Sequence, residues 1–191
     1  MRIALVLALA LLSSAAFAAQ SQPVPKPASK PQPESREKLF AQLKQAQSSE
    51  DAKAIEDKLK LLFLASNSPS VDLLMTRVHV AQAADDTKTA RKLVEAVTNI
   101  APDYAEGWHI RASMESADGD DTGALVSLQK AVLLNPRHFD ALVELGALLE
   151  EYGDKAGALK LYRRALEVDP QMEAAQHKVR ELTTKVEGRD I

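Results

Sequence analysis

The four histidines have the widest chemical range of the side chains in this sequence, because imidazole binds transition metals and exchanges protons near neutral pH. They lie at positions 79, 109, 138 and 177. No two of them stand four residues apart, the spacing that places two metal ligands on one face of a helix. His79 and His109 both fall on the face assigned below to a groove. A metal or small-molecule site at these two residues is therefore an alternative, and our main prediction includes no metal.

A second group of residues resembles part of a calcium-binding loop. Asp118, Asp120, Thr122 and Gly123 occupy the first, third, fifth and sixth positions of that pattern. The twelfth position of such a loop requires a carboxylate that binds the ion through both oxygens, and this chain has Gln129 there. We therefore interpret the segment as a turn between two helices.

Other reactive groups are missing from the sequence. It contains no cysteine, which excludes disulfides, thiolate metal sites, cysteine nucleophiles and a lipoprotein cysteine. It also lacks a Gly-x-Ser-x-Gly motif, a glycine-rich phosphate loop and a His-Glu-x-x-His motif. Lys and Arg number 24 against 27 Asp and Glu, a net charge of -3, so no positive excess attracts nucleic acid. We predict no catalysis, no cofactor and no nucleic-acid partner.

The first 18 residues have the features of a secretory signal peptide. Arg2 provides a positive start, an apolar run extends over residues 3–12, and Ala16-Phe17-Ala18 gives the small-x-small pattern of a cleavage site. We expect cleavage after Ala18 and export to the periplasm of a Gram-negative bacterium. A retained anchor is the alternative, although the apolar run is shorter than the about 20 residues that a spanning helix needs.

Residues 19–33 follow as a proline-rich linker. This stretch holds five of the nine prolines and favours an extended, solvated polyproline II spacer; a ligand for a proline-recognition domain is the alternative. The rest of the chain has the composition of a folded domain, since the whole sequence is 46% hydrophobic and 27% charged. Aromatic residues are only 4%, which favours helices packed through small side chains over a β-sandwich or barrel.

The four prolines beyond the linker recur at a nearly constant interval. They lie at positions 69, 102, 136 and 170, with spacings of 33, 34 and 34 residues. An interval of this size is typical of arrays of helical hairpins. Because proline cannot continue a helix and disfavours helical angles in the residue before it, we expect each proline to end a repeat unit.

Small and large apolar residues recur in register with these prolines. The unit that begins at Phe139 is the clearest and carries Leu142, Leu145, Gly146 and Leu149 on its first helix and Ala158, Tyr162 and Ala165 on its second. The units that begin at Ala105 and Val71 keep the register with more departures. The pattern resembles the tetratricopeptide repeat (TPR) family across residues 71–170, and more specifically small exported TPR proteins of alphaproteobacteria.

This resemblance implies an all-α fold, a right-handed superhelical solenoid of helical hairpins. We divide the chain into a signal peptide at 1–18, a linker at 19–33, an N-terminal helix hairpin at 34–69, a degenerate first repeat at 70–104, a second repeat at 105–138, a third repeat at 139–172, and a capping helix with a tail at 173–191. We expect the N-terminal hairpin to pack onto the first repeat and the last helix to cap the third.

The resemblance also implies that a partner binds on the concave face, which is lined by the first helix of each repeat. Spacings of three and four residues keep the candidate groove residues on one face of each helix. They are Asp72, Met75, His79 and Gln82 in the first repeat, Glu106, His109, Ser113 and Ser116 in the second, and Asp140, Val143, Ala147 and Glu150 in the third. A merely solvated helix face is the alternative interpretation of each residue.

These residues constrain the kind of partner. The Lys and Asn residues with which chaperone-binding TPR domains hold a terminal carboxylate are absent from the groove positions, and the carboxylates present favour a neutral to basic segment with some apolar character. We therefore predict a non-catalytic periplasmic adaptor or scaffold that binds a protein or peptide segment, in envelope assembly or transport. The alternative from another class is a self-associating module, a homodimer built on the N-terminal hairpin or the C-terminal helix.

Overall fold

The computed structural model describes residues 33–188, so the predicted signal peptide and all of the linker except Pro33 lie outside the described part of the chain. The described residues form nine α-helices and no strand. The helices are α1 Pro33–Lys44, α2 Ser49–Phe63, α3 Pro69–Ala83, α4 Thr87–Ile100, α5 Ala105–Ala117, α6 Asp121–Leu134, α7 Phe139–Glu151, α8 Lys155–Val168 and α9 Glu173–Glu187. Among the described helices, none is both long enough and apolar enough to cross a membrane.

Three helical hairpins form the centre of the molecule, and they coincide with the three predicted repeats. The most extensive helix contacts are α3 with α4, α5 with α6, and α7 with α8. Alanine and glycine allow the two helices of a hairpin to approach closely. In the third repeat, a Cβ atom added to Gly146 would lie 3.0 Å from the ring of Tyr162. Gly146, one of the small residues predicted from the repeat pattern, is therefore a point of close approach between α7 and α8.

The second helix of each hairpin begins in the same way. Asp86, Asp120 and Asp154 precede α4, α6 and α8, and each side chain accepts a hydrogen bond from a backbone N–H in the first turn. Such N-caps satisfy amide groups that have no partner within the helix. For Asp120 the donor is the amide of Gly123, at 3.0 Å. The segment that resembles a calcium loop is therefore the turn that starts α6.

The recurring prolines occupy two kinds of position. Three prolines each follow the C-cap residue of a second helix. They are Pro102 after Ala101 of α4, Pro136 after Asn135 of α6 and Pro170 after Asp169 of α8. Pro69 instead is the first residue of α3, where its missing amide hydrogen is not needed. The prediction that each proline ends a unit is thus wrong for Pro69, and the first helix of the first repeat begins at Pro69, one residue before the predicted boundary at 70.

The N-terminal hairpin, α1 with α2, lies far from its expected place. Phe40, Leu43, Leu59 and Phe63 form one buried cluster with Phe139 at the start of α7, and Val168 and Met172 pack against it. Helix α1 also contacts α8, whereas no extensive contact joins α2 to α3. The prediction that this hairpin packs onto the first repeat is wrong. Its aromatic residues fit the apolar surface between the ends of α7 and α8 instead.

The last helix lies where the sequence predicts it. Helix α9 packs along α8 and buries Ala175 and Leu182 in the cluster that also contains the core of the second and third repeats. Gly188 ends the helix in the left-handed conformation, with φ of 64°, which glycine adopts without strain. The prediction of a capping helix is confirmed.

Candidate functional site

The candidate groove residues divide into an open cleft, a buried charged cluster and positions used for packing. Met75 belongs to the last group, since its exposed fraction is 2% and it lies in the core of the first repeat. The prediction that Met75 lines the groove is wrong, because its side chain packs in the core that α3 forms with residues of α4 and α5. His79 on the same helix is exposed and Gln82 is half-buried.

The open part of the predicted groove is a cleft of about 260 Å³ between α5 and α7. Ser113, Ser116 and Ala147 lie along it and are exposed. These three side chains are small, and the floor beneath them consists of the buried core residues Ala112, Ala124, Leu128 and Leu148. Two carboxylates, Glu144 and Glu151, complete the lining. The cleft therefore combines an apolar floor with negative charge.

A cluster of charged residues lies near the N-terminal ends of α5 and α7. Nε2 of His138 lies 2.8 Å from Oε2 of the buried Glu106. Nδ1 of His109 lies 3.6 Å from the other oxygen of Glu106, and its Nε2 lies 3.1 Å from Glu144. Glu106 and His109 are on α5, His138 caps the start of α7, and Glu144 is on α7. These contacts therefore hold the two walls of the cleft, α5 and α7, next to each other.

Mutual pairing determines the charge of this cluster. Burial by itself lowers the pKa of His109, but pairing with Glu106 and Glu144 outweighs it and raises the pKa to about 10. Burial likewise raises the pKa of Glu106, but the nearby His109 and the hydrogen bond from His138 lower it to about 2. At neutral pH the cluster therefore contains a charged His109 between two carboxylates.

Glu106, His109 and His138 are also the group of described residues whose geometry could hold a metal ion, because one donor atom from each lies within 4.8 Å of the others. The hydrogen bonds favour a different use. Nδ1 of His138 accepts the amide of Ala141 at 3.4 Å and caps α7, which leaves the ring proton on Nε2, where it is donated to Glu106. A metal would have to displace that proton, so the donor set fits a cluster of ion pairs better.

Several predicted groove residues already have partners within the chain. Asp140 lies 3.2 Å from Lys60 of the N-terminal hairpin, and Asp72 accepts hydrogen bonds from the amide and hydroxyl of Ser66 at 2.9 and 2.6 Å. Glu150 accepts from Tyr162 and Lys178, both at 3.1 Å. Val143 is half-buried against the core. The side chains of these four residues are therefore engaged in intramolecular contacts that stabilise the fold.

Sequence analysis did not identify His138 or Glu144 as neighbours of the groove histidine. It paired His109 with His79, whereas the rings of His109 and His138 lie 4.4 Å apart. A signal was present, because His138 directly precedes the first residue of α7, at the position where a side chain caps a helix. The contact of Phe63 with His138, at 4.8 Å between ring centres, had no local signal, since it depends on the position of the N-terminal hairpin.

Comparisons with known proteins show that the chain is similar to a TPR protein in sequence and to TPR domains in fold. No family model matches it. A TPR repeat-containing protein of Rhizobium etli is 29% identical over 152 residues, which are 80% of this chain and 74% of that protein. The sequence comparison thus supports the TPR assignment over most of the chain, and an alphaproteobacterial relative fits the type that the sequence resembles.

Solved structures give the same result for the fold. The TPR domain of Sgt2 from Aspergillus fumigatus has a TM-score of 0.54 at 24% identity and covers 63% of this chain and 81% of that domain. The type III secretion chaperone SycD of Yersinia enterocolitica, in complex with a peptide of the translocator YopD, has a TM-score of 0.56 at 13% identity, with 62% and 95% covered. The fold is a TPR solenoid, as predicted.

Proposed function

We propose that this protein is a non-catalytic adaptor that binds a segment of a partner protein in the cleft between α5 and α7. The observation that carries the proposal is the composition of that cleft, in which the small side chains of Ser113, Ser116 and Ala147 lie above a floor of apolar core residues. An apolar side chain of a partner would be buried there, which is the main source of affinity in such grooves. SycD, which has the same fold, binds a peptide of its translocator.

The charges at the cleft indicate the chemistry of the segment. Glu151 is exposed and Glu144 is only partly engaged by His109. A segment with an aliphatic side chain beside a Lys or Arg would satisfy both the floor and these carboxylates, whereas an acidic segment would be repelled. The partner is thus a neutral to basic protein or peptide segment.

The cellular setting of this function follows from the N-terminal residues. The signal-peptide pattern of residues 1–18 supports export, and we infer that the adaptor works in the periplasm, in envelope assembly or transport. Sequencing the N-terminus of the protein isolated from fractionated cells checks this part. A chain in the periplasmic fraction that starts at Ala19 supports export, and a chain that keeps Met1 in the cytoplasmic fraction contradicts it.

An Ala147→Arg variant tests the cleft itself. The arginine would fill the space above Leu148 and Leu128, so proteins captured by wild-type residues 19–191 from a periplasmic extract should be lost. Ala156→Arg is the matched control, because Ala156 is equally exposed but lies on the second helix of the same repeat. Capture of the same proteins by both variants and the wild type would show that this cleft is not the binding surface.

Charge reversal provides an independent readout. Glu151→Lys should weaken binding of a basic segment, and raising the salt concentration should weaken the wild-type complex in the same direction. Glu167→Lys on α8 makes the same change of charge at an exposed position away from the cleft. Equal effects of the two substitutions would exclude a specific role for the charge of Glu151.

A further inference from the structure

The N-terminal hairpin covers a surface made of the residues at the ends of α7 and α8. We call this the docking surface; it consists of Arg137, Phe139, Asp140, Val168, Asp169 and Met172. Phe63 of the hairpin lies 5.8 Å from Phe139 between ring centres, and Phe40 lies under the guanidinium of Arg137 at 4.0 Å. Aromatic rings thus lie at the centre of this interface, and charged side chains surround them.

The fit between the hairpin and this surface is incomplete. Oδ2 of Asp169 is buried and has no hydrogen-bond partner. The hairpin places Glu56, another carboxyl group, against it, and Asp140 is also close. A protonated Glu56 can supply a donor to this oxygen, but once Glu56 is ionised Asp169 has a buried acceptor without a donor, which costs free energy. A ligand with a basic side chain at the place of Glu56 would bind this surface better than the hairpin does.

A second position for the hairpin is also available. Helices α4 and α6 each pack along the first helix of the next repeat, but α2 does not pack along α3. The corresponding face of α3 is open, with exposed fractions of 57% for Leu73 and 64% for Val80. Seven residues separate these two, so they lie on one face of the helix.

Helix α2 has a complementary stripe. Leu61 has an exposed fraction of 67%, and the exposed Ala54 lies seven residues before it. The pairs Leu61 with Leu73 and Ala54 with Val80 are each symmetrical about Asn67, which has a positive φ of 64°. An antiparallel pair that turns at Asn67 would therefore bury both apolar pairs.

A pair of opposite charges has the same symmetry. Asp57 and Arg77 are also equally distant from Asn67 and are both exposed. Stacking of α2 on α3 would bring them together at the level between the two apolar pairs. One register thus satisfies three pairs at once, and it is the arrangement that the repeat pattern itself predicts for a helix that precedes the first repeat.

We propose that the docking surface binds an amphipathic helix of a partner protein, that the N-terminal hairpin occupies it in the free chain, and that the displaced hairpin stacks on α3. The partner helix carries aromatic residues for Phe139, an acidic residue for Arg137 and basic residues for Asp140 and Asp169. The role of this displacement in partner binding rests on the adaptor function proposed above, whereas the movement of the hairpin does not.

Thiol crosslinking of the full mature chain tests the movement, because the sequence contains no native cysteine. A Gln47→Cys, Gln171→Cys pair reports the position seen here, because Gln171 donates a hydrogen bond of 2.9 Å to the carbonyl of Ala46. An Ala54→Cys, Val80→Cys pair reports stacking on α3, and both pairs are treated with a short bis-maleimide. The first pair should crosslink almost completely in the free protein and the second only slightly. Mixed single-cysteine proteins show how much crosslinking occurs between two copies.

The probe is a synthetic peptide of residues 33–66, added in trans, because it has the chemistry of the present occupant. It should raise the yield of the 54–80 crosslink several-fold and lower that of the 47–171 crosslink, and the same peptide with Glu56→Lys should act at a lower concentration. A scrambled peptide is the control. If neither peptide changes either yield, while circular dichroism shows a folded protein, the hairpin is a fixed part of the fold and the proposal is overturned.

The outcome can be separated from that of the cleft experiment. If the hairpin moves but Ala147→Arg captures the same proteins as the wild type, this inference is supported and the cleft is not the binding surface. If the hairpin stays fixed but Ala147→Arg abolishes capture of the partner, the adaptor function is supported with the cleft as its binding surface, and this inference is overturned.

Discussion

Arg137 donates a hydrogen bond of 2.8 Å from its Nη1 atom to Oε2 of Glu37, a residue 100 positions earlier in the chain. A second contact of 2.5 Å joins the other nitrogen and oxygen of the same two groups, so the pair is bidentate. It connects the first described helix to the segment before the third repeat. The solenoid is therefore not a simple stack of neighbours, because its N-terminal hairpin is bound to its C-terminal half.

Phe40→Ala should loosen this hairpin selectively. Removing a buried phenylalanine ring costs about 3–5 kcal/mol, and Phe40 contributes to the cluster that joins the hairpin to Phe139. Hydrogen exchange followed by mass spectrometry should show faster exchange in α1 and α2, with little change in α5 to α8. The exposed Gln42→Ala on the same helix is the control. Uniform acceleration across all helices would mean that the hairpin and the repeats unfold as one unit.

The docking of the hairpin should weaken as pH rises. Burial, together with Asp169, raises the pKa of Glu56 from its usual 4.5 to about 7, against the opposing effect of Lys60, and Asp140 on α7 adds to the rise. Glu56 therefore keeps its proton in the docked state at pH values where it is ionised in the undocked state. The free energy that favours docking is lost as pH rises from about 4.5 to about 7. Protection of α2 from hydrogen exchange should fall over this interval.

Glu56→Gln should remove most of that dependence, since glutamine remains neutral. The protection of α2 in this variant should exceed that of the wild type at pH 8 and resemble it at pH 5. Asp57→Asn, at the exposed neighbouring position, should keep the wild-type profile. An identical fall in all three proteins would place the responsible group elsewhere.

A different group should dominate at higher pH. The raised pKa of His109, about 10 against the usual 6.5, contributes stability that is complete below about pH 6.5 and lost as pH rises through about 10. The free energy of urea unfolding should therefore fall between these values more steeply in the wild type than in His109→Gln. His79→Gln is the control, because His79 is exposed; a profile of His109→Gln that matches the wild type would contradict the charged state of His109.

Gly146→Leu should destabilise the third repeat by about 1–3 kcal/mol, the typical cost of overpacking. The added side chain would meet the ring of Tyr162, which lies 3.0 Å from the place of a Cβ atom. Thermal unfolding measures the change. Ala147→Leu, at the next residue and exposed, should leave the melting temperature nearly unchanged. A melting temperature of Gly146→Leu equal to that of the wild type would count against close packing at this point.

The sequence by itself was enough to predict the three hairpins and the capping helix. The reason is that these elements depend on local periodicity: small residues where two adjacent helices touch, aspartates at helix starts and prolines between units all act within one or two turns of the chain. Gly146 and Tyr162 meet because the repeat brings them together, and the repeat is visible in the sequence.

The position of the N-terminal hairpin and the set of groove residues that remain open depend on long-range packing. Phe63 reaches Phe139 and His138, and Met75 turns into the core, because burial of large apolar side chains depends on the shape of the whole assembled array. No periodic signal records a contact between residues 75 positions apart. The helices follow from local patterns, whereas the surface that they offer to a partner follows from long-range packing.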